Sequence, residues 1–129
     1  MMKAYISLLA TIFICVQLLA KNPLNDVKPQ FPGGENALME FLNKNLVYPE
    51  EAQKQKWEGK TLVGFVVNED GTIENPHIIK SSWSLLDSEA LRIVQLMPKW
   101  KPATINGKPK KEMVVLPIMF NLKRKNFQE

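Results

Sequence analysis

Side chains able to do chemistry are few in this chain of 129 residues, and they do not converge. The single histidine, His77, follows Pro76 in a strand-like stretch and has no partner at metal-ligand or acid–base spacing. Glu50 and Glu51 are adjacent, so their carboxylates diverge. Asp70 belongs to a turn with Gly71, and Asp87 stands where a helix N-cap is expected. The only cysteine, Cys15, lies in an apolar leader, which leaves the rest without a thiol for a disulfide, a metal or a nucleophile. No glycine-rich phosphate loop and no nucleophile elbow occurs. These residue types predict no catalytic group, no metal and no cofactor, and the chain is not expected to be an enzyme.

Main-chain chemistry is the other resource. "EMVVLPIMF", Glu112 to Phe120, reads as a strand, yet Pro117 sits inside it and proline has no amide hydrogen to donate to a ladder. Such a proline is confined to edge strands, first residues or bulges. Alternation sends Val114, Leu116, Ile118 and Phe120 to a core face and Met113, Val115, Pro117 and Met119 to the other. If the even-numbered residues bond a central strand, the odd-numbered ones point their backbone groups outward. A foreign strand could then pair with Met113, Val115 and Met119.

That edge needs a sheet behind it. "TLVGFVVNEDGTIENPHIIK" predicts a hairpin, with Val63, Phe65 and Val67 on one face, Leu62 and Val66 on the other, and Asp70-Gly71 at the turn. The return strand, about Thr72 to Lys80, carries Pro76 and must also be an edge or be bulged. Placing the proline-free strand centrally gives a three-stranded antiparallel sheet in the order second, first, third, with helices on one face. The fold class is α+β.

Three helices are expected. "GGENALMEFLNKNL" sets Leu38, Phe41, Leu42 and Leu46 at helical spacing. In "YPEEAQKQKWEG", Pro49 suits a first helical position and Gly59 a stop, with Trp57 a packing residue. A third runs from the Asp87 cap through Ala90, Ile93, Val94 and Met97 to Pro98, its entry covered by Trp83. "KWKPATINGKPKK" follows and reads as a loop.

Composition, 45% hydrophobic and 23% charged, fits one small domain, and the formal charge of +4 makes it mildly basic. Residues 1–20 hold Lys3 and an apolar run from Ala4 to Ala20, either a cleaved signal peptide or an inner-membrane anchor. Both place the remainder in the cell envelope, in the periplasm. Residues 21–32, with Pro23, Pro29 and Pro32, read as a short tether reaching at most roughly 40 Å. The domain proper is expected at 33–122, with a basic tail at 123–129. Lys99, Lys101, Lys108, Lys110, Lys111, Lys123, Arg124 and Lys125 around Trp100 offer an anionic-surface reading. Export argues against nucleic acid, and the lysines read as a solvated loop and tail.

"YPEEAQKQKWEGKTLVGFVVNEDGTIENPHIIKSS", "LDSEALRIVQLMPKWKPATINGKP" and "VVLPIMFNL" together resemble the C-terminal domain of TonB, the periplasmic energy transducer of Gram-negative bacteria. Tyr48-Pro49, Ala52, Glu58-Gly59, Asp70-Gly71, Trp100 with Pro102 and the closing strand carry the likeness, which spans about Pro32 to Leu122. "PQFPGG" and the first helix look like a variant in which an extra helix precedes the Tyr-Pro element. The resemblance implies binding of TonB-dependent outer-membrane receptors, whose TonB box would add as a strand beside Met113 to Leu122, with Tyr48 and Pro49 facing the receptor plug. It also implies ExbB/ExbD-type motor proteins as partners if the chain is anchored, and energy-coupled transport across the outer membrane. The short tether departs from the long proline-rich spacer of such transducers, so a stand-alone periplasmic adaptor or competitor is the alternative. A homodimer through the strand edge is a further expected partner state.

Overall fold

The computed structural model describes residues 26–123. The leader expected at residues 1–20, the first part of the tether and most of the basic tail lie outside them.

Helices form around the expected stripes, although Leu46 and Met97 lie just past the helix ends. Helix α1, Glu35–Asn45, carries Glu35 in its first turn and Lys44 in its last, charges that complement its dipole. It stops at Leu46, which is already extended, and Pro49 bars Tyr48 before it from helical geometry. Helix α2, Glu50–Lys54, is a single short turn entered through Pro49. Strands β1, Gly59–Val67, and β2, Ile73–Lys80, then form the hairpin, and helix α3, Ser84–Gln95, crosses over to the closing segment.

The segment expected as a loop is a second hairpin. Strand β3, Ala103–Ile105, pairs with β4, Lys108–Lys110, and Asn106-Gly107 between them both take positive φ. Asn-Gly is a strong signal for such a turn, and the surrounding prolines and lysines mask it. The last strand, β5, is Glu112–Phe120.

Sheet order is β2-β1-β5 with both pairings antiparallel, as the placement of the prolines requires. Pairing of β1 with β5 runs unbroken from Gly59↔Phe120 to Val67↔Glu112. Pairing of β1 with β2 shifts register twice, between Leu62 and Val63 and between Gly64 and Val66. At the second shift two β2 residues, Asn75, at φ 53°, and Pro76, stand against Phe65 alone. Pro76 thus lies both on an edge and in a bulge, where no ladder donor is required of it.

One face of the sheet carries the core. Val63, Phe65 and Val67 from β1 and Leu116, Ile118 and Phe120 from β5 pack with Leu42, Leu46, Ala52, Leu86, Ala90, Ile93 and Val94. Each large apolar side chain so buried contributes roughly 1.5–3 kcal/mol. Gly71 is fixed by the turn between β1 and β2: at φ 89° it lies so close to Trp100 that an added Cβ would sit 2.1 Å from the Trp100 carbonyl oxygen. The Trp100 N–H in turn donates to the Gly71 carbonyl at 2.9 Å, tying β3's approach to the hairpin turn.

Two sequence expectations shift here. The chain is docked from Val27 onward: Val27 and Thr104 exchange backbone hydrogen bonds at 2.9 and 3.0 Å, and Gln30 and Lys101 do so at 3.0 and 2.7 Å. Phe31 is buried beside Phe41 and Trp100, with ring centroids 5.4 and 5.8 Å away. Residues 27–31, assigned to the tether on sequence grounds, thus lie against the chain between Trp100 and Thr104. The helix expected to start at Asp87 starts at Ser84, with Trp83 as its N-cap residue. Asp87 lies inside the first turn and reaches backwards instead of capping.

Candidate functional site

Strand β5 places the expected binding residues on two faces. Leu116, Ile118 and Phe120 are buried and Val114 is half-buried, whereas Met113, Val115, Pro117 and Met119 are exposed. Met113, Val115 and Met119 are 50%, 48% and 46% accessible, a row of apolar side chains on the face of the sheet that no helix covers. Leu62 and Val66 of β1 and Ile79 of β2 continue that surface.

Backbone direction follows from the register. Pro117 stands opposite Leu62 in an uninterrupted ladder. Residues of an antiparallel pair alternate between hydrogen-bonded and non-bonded positions. Were Pro117 at a bonded position, the Leu62 carbonyl would lack its donor in the middle of the sheet. With the even-numbered residues bonded to β1, the ladder is complete and the proline costs it nothing. The Leu122 N–H agrees with this phase, because it donates to Glu58 Oε1 at 2.9 Å, back toward the start of β1. Among the described residues, β5 has β1 as its sole neighbour, and no turn or loop backbone bond engages residues 113–119.

The two edges of the sheet differ physically. The β2 edge is broken by two register shifts, a left-handed Asn75 and Pro76, features that spoil it as a template. The β5 edge is regular over its whole length and lacks one donor.

Tyr48 and Pro49 occupy different positions from each other. Tyr48 is 3% accessible, with its ring edge-on to Phe120 at 5.7 Å and its hydroxyl donating to the Trp57 carbonyl. Burial, and then the nearby Glu58 carboxylate, push its pKa up. Its side chain therefore cannot reach a partner; it holds Val47, which is exposed, and Pro49, which is half-buried, at the surface.

Two acidic residues that position this region carry no sequence signal for it. Glu89, buried on α3, accepts the Val47 N–H at 2.9 Å and binds Arg92 through Nε at 2.8 Å and Nη2 at 2.5 Å. Arg92 Nη2 also donates to the Asn45 carbonyl at 2.9 Å, so the pair clamps the chain between α1 and α2. The Glu89 hydrogen bond raises the already high Arg92 pKa against the effect of burial. Asp87 accepts from the Thr61 hydroxyl at 2.8 Å, the Ser82 N–H at 3.0 Å and the Ser81 hydroxyl. Desolvation opposes its ionisation, but the hydrogen bonds from Ser81, Ser82 and Thr61 outweigh this and hold its pKa below the usual carboxylate value.

The remaining chemical candidates stay apart. The His77 ring lies on Asn75 of its own strand, with Nδ1 2.8 Å from the Asn75 carbonyl. Among the described residues no group of three or more His, Cys, Asp or Glu could hold a metal ion. Trp100, weighed as an aromatic platform, is buried, with its ring edge-on to Phe65 at 5.2 Å. Trp57 does pack against the core, and it stacks on Trp83 at 4.8 Å with ring planes 4° apart.

The described residues thus form a helix-covered three-stranded antiparallel sheet with one regular open edge. The chain belongs to the TonB C-terminal family: the family model described as "Gram-negative bacterial TonB protein C-terminal" matches residues 44–122, more than half of its length. Two solution structures of the Helicobacter pylori TonB C-terminal domain are similar to it. That of residues 179–285 is 28% identical, covers 71% of this chain and 87% of that one, and has a TM-score of 0.53. That of residues 194–285 is 25% identical, covers 67% and 91%, and has a TM-score of 0.51. Among curated proteins none matches the chain.

Proposed function

We propose that this protein is a cell-envelope receptor-binding module that captures an extended segment of a TonB-dependent outer-membrane receptor as a fourth strand beside β5. The observation that carries the reading is the contrast between edges: β2 is bulged and left-handed at Asn75, while β5 is unbroken and presents Met113, Val115 and Met119 outward. Main-chain bonds would supply affinity with little dependence on partner sequence, and the exposed apolar row would favour apolar side chains at alternate positions of the added strand. No step requires a cofactor or a catalytic group.

Force transmission is the finer part of the reading. A full transducer needs reach, and the docking of Val27 to Phe31 removes about 17 Å from the roughly 40 Å expected of residues 21–32. That observation favours a second reading, a periplasmic adaptor or competitor that engages the receptor without an ExbB/ExbD-type motor. Among the described residues no helix is long and apolar enough to cross a membrane. The mass of the mature protein from its native envelope separates the two: retention of residues 1–20 supports an anchored transducer, and their loss supports the adaptor.

Binding itself is tested by titrating the chain with extended TonB-box peptides, then repeating with Val115→Pro. That substitution removes an outward donor and spares the ladder to β1. Affinity should fall about tenfold, the value of one main-chain hydrogen bond with its stranded partner. Unchanged affinity in a folded variant would falsify the proposed edge.

A further inference from the structure

We infer that Pro117 biases the β5 edge against a second copy of this chain and in favour of a foreign strand; this rests on the strand-addition reading above. An open regular edge with an apolar row is as good a template for itself as for a partner. The two cases differ in how often the missing donor counts.

A foreign strand laid along β5 meets Pro117 once. One of its carbonyls finds no N–H, and the donors of Met113, Val115 and Met119 remain available. Two copies of β5 joined edge to edge about a two-fold axis meet it twice, because an isologous contact repeats every pair. If Pro117 faces Pro117, both bonds of that pair are lost. If it faces any other outward residue, one bond is lost there and one at the symmetry-related pair. Every self-pairing long enough to include Pro117 therefore strands two carbonyls in the junction, whereas a heterologous pairing strands one. Overlaps that avoid Pro117 keep only a short stretch at one end of β5.

Among the described residues the same edge shows no other protection. Its pairing with β1 has no bulge, and its outward side chains at Met113, Val115 and Met119 are uncharged. The β2 edge is guarded by register shifts and a left-handed residue, so Pro117 is the one interruption on the side left regular.

The test compares the full chain with Pro117→Val, and with a double variant carrying Val115→Pro and Pro117→Val, which moves the missing donor rather than restoring it. Sedimentation equilibrium reads self-association, and a TonB-box peptide titration is run in parallel. Restoring the donor should tighten self-association by about a hundredfold and peptide binding by only about tenfold, since two bonds are regained in the first case and one in the second. The double variant should self-associate as weakly as the native chain. Self-association unchanged in Pro117→Val, or restored equally in the double variant, would overturn the inference. Failure of the peptide to bind any of the three proteins would instead remove the receptor reading and leave the self-association result to stand by itself.

Discussion

Asp87 marks both what residue types reveal and what they hide. An aspartate near a helix start reads as a cap, yet here it accepts hydrogen bonds from Ser81, Ser82 and Thr61 and ties α3 to the base of β1. Asp87→Asn should cost about 1–3 kcal/mol at neutral pH, measured by urea unfolding, because it weakens several half-buried bonds at once. The sign of its pH dependence follows from the depressed pKa. A carboxyl ionising more easily in the folded state adds stability that is complete above its unfolded value of 3.8 and lost as pH falls through the lower folded value. The gap between the native chain and Asp87→Asn should therefore narrow as pH drops below about 4; a gap that stays constant to about pH 2 contradicts this account. Gly71→Ala belongs at the same scale. Its Cβ would meet backbone that cannot swing aside, the Trp100 carbonyl oxygen, at a φ that disfavours alanine. A loss of at least about 2 kcal/mol is expected in the same unfolding measurement, and a neutral effect would contradict the placement.

Among the elements, the proline rule carried the sheet. Pro117 and Pro76 exclude central positions, so the order β2-β1-β5 follows from the sequence with the alternation of buried and exposed residues along β5. The β3–β4 hairpin was legible in Asn106-Gly107 but was outweighed by the density of proline and lysine around it. The docked segment Val27 to Phe31 was not legible. It consists of two isolated bridges and one buried ring, with no periodicity, and its partners lie far along the chain. Glu89 was hidden for a similar reason: its i,i+3 spacing to Arg92 is visible, whereas its bond to Val47 depends on how α3 packs. Phe31→Ala should destabilise the domain by about 3 kcal/mol, and a chain starting at Gly33 should unfold at lower urea than one starting at Asp26. Equal stability of the two chains would leave residues 27–31 as tether.

For the whole molecule, the helices cover one face of the sheet, the β2 edge is spoiled, and the apolar row of β5 is left at the surface. The sequence pointed to that edge through a single missing donor, and the resemblance supplied the kind of partner. What packing adds is the contrast between the two edges and the burial of Tyr48, which turns an expected contact into a support for Val47 and Pro49. Residue-resolved amide hydrogen exchange of the full chain, with and without a saturating TonB-box peptide, tests the central claim most directly. The amides of Met113, Val115 and Met119 should exchange freely alone and become protected with peptide, while those of Val114, Leu116 and Ile118 are protected in both. Protection gained instead along Ile73 to Lys80, or nowhere on β5, would contradict the account.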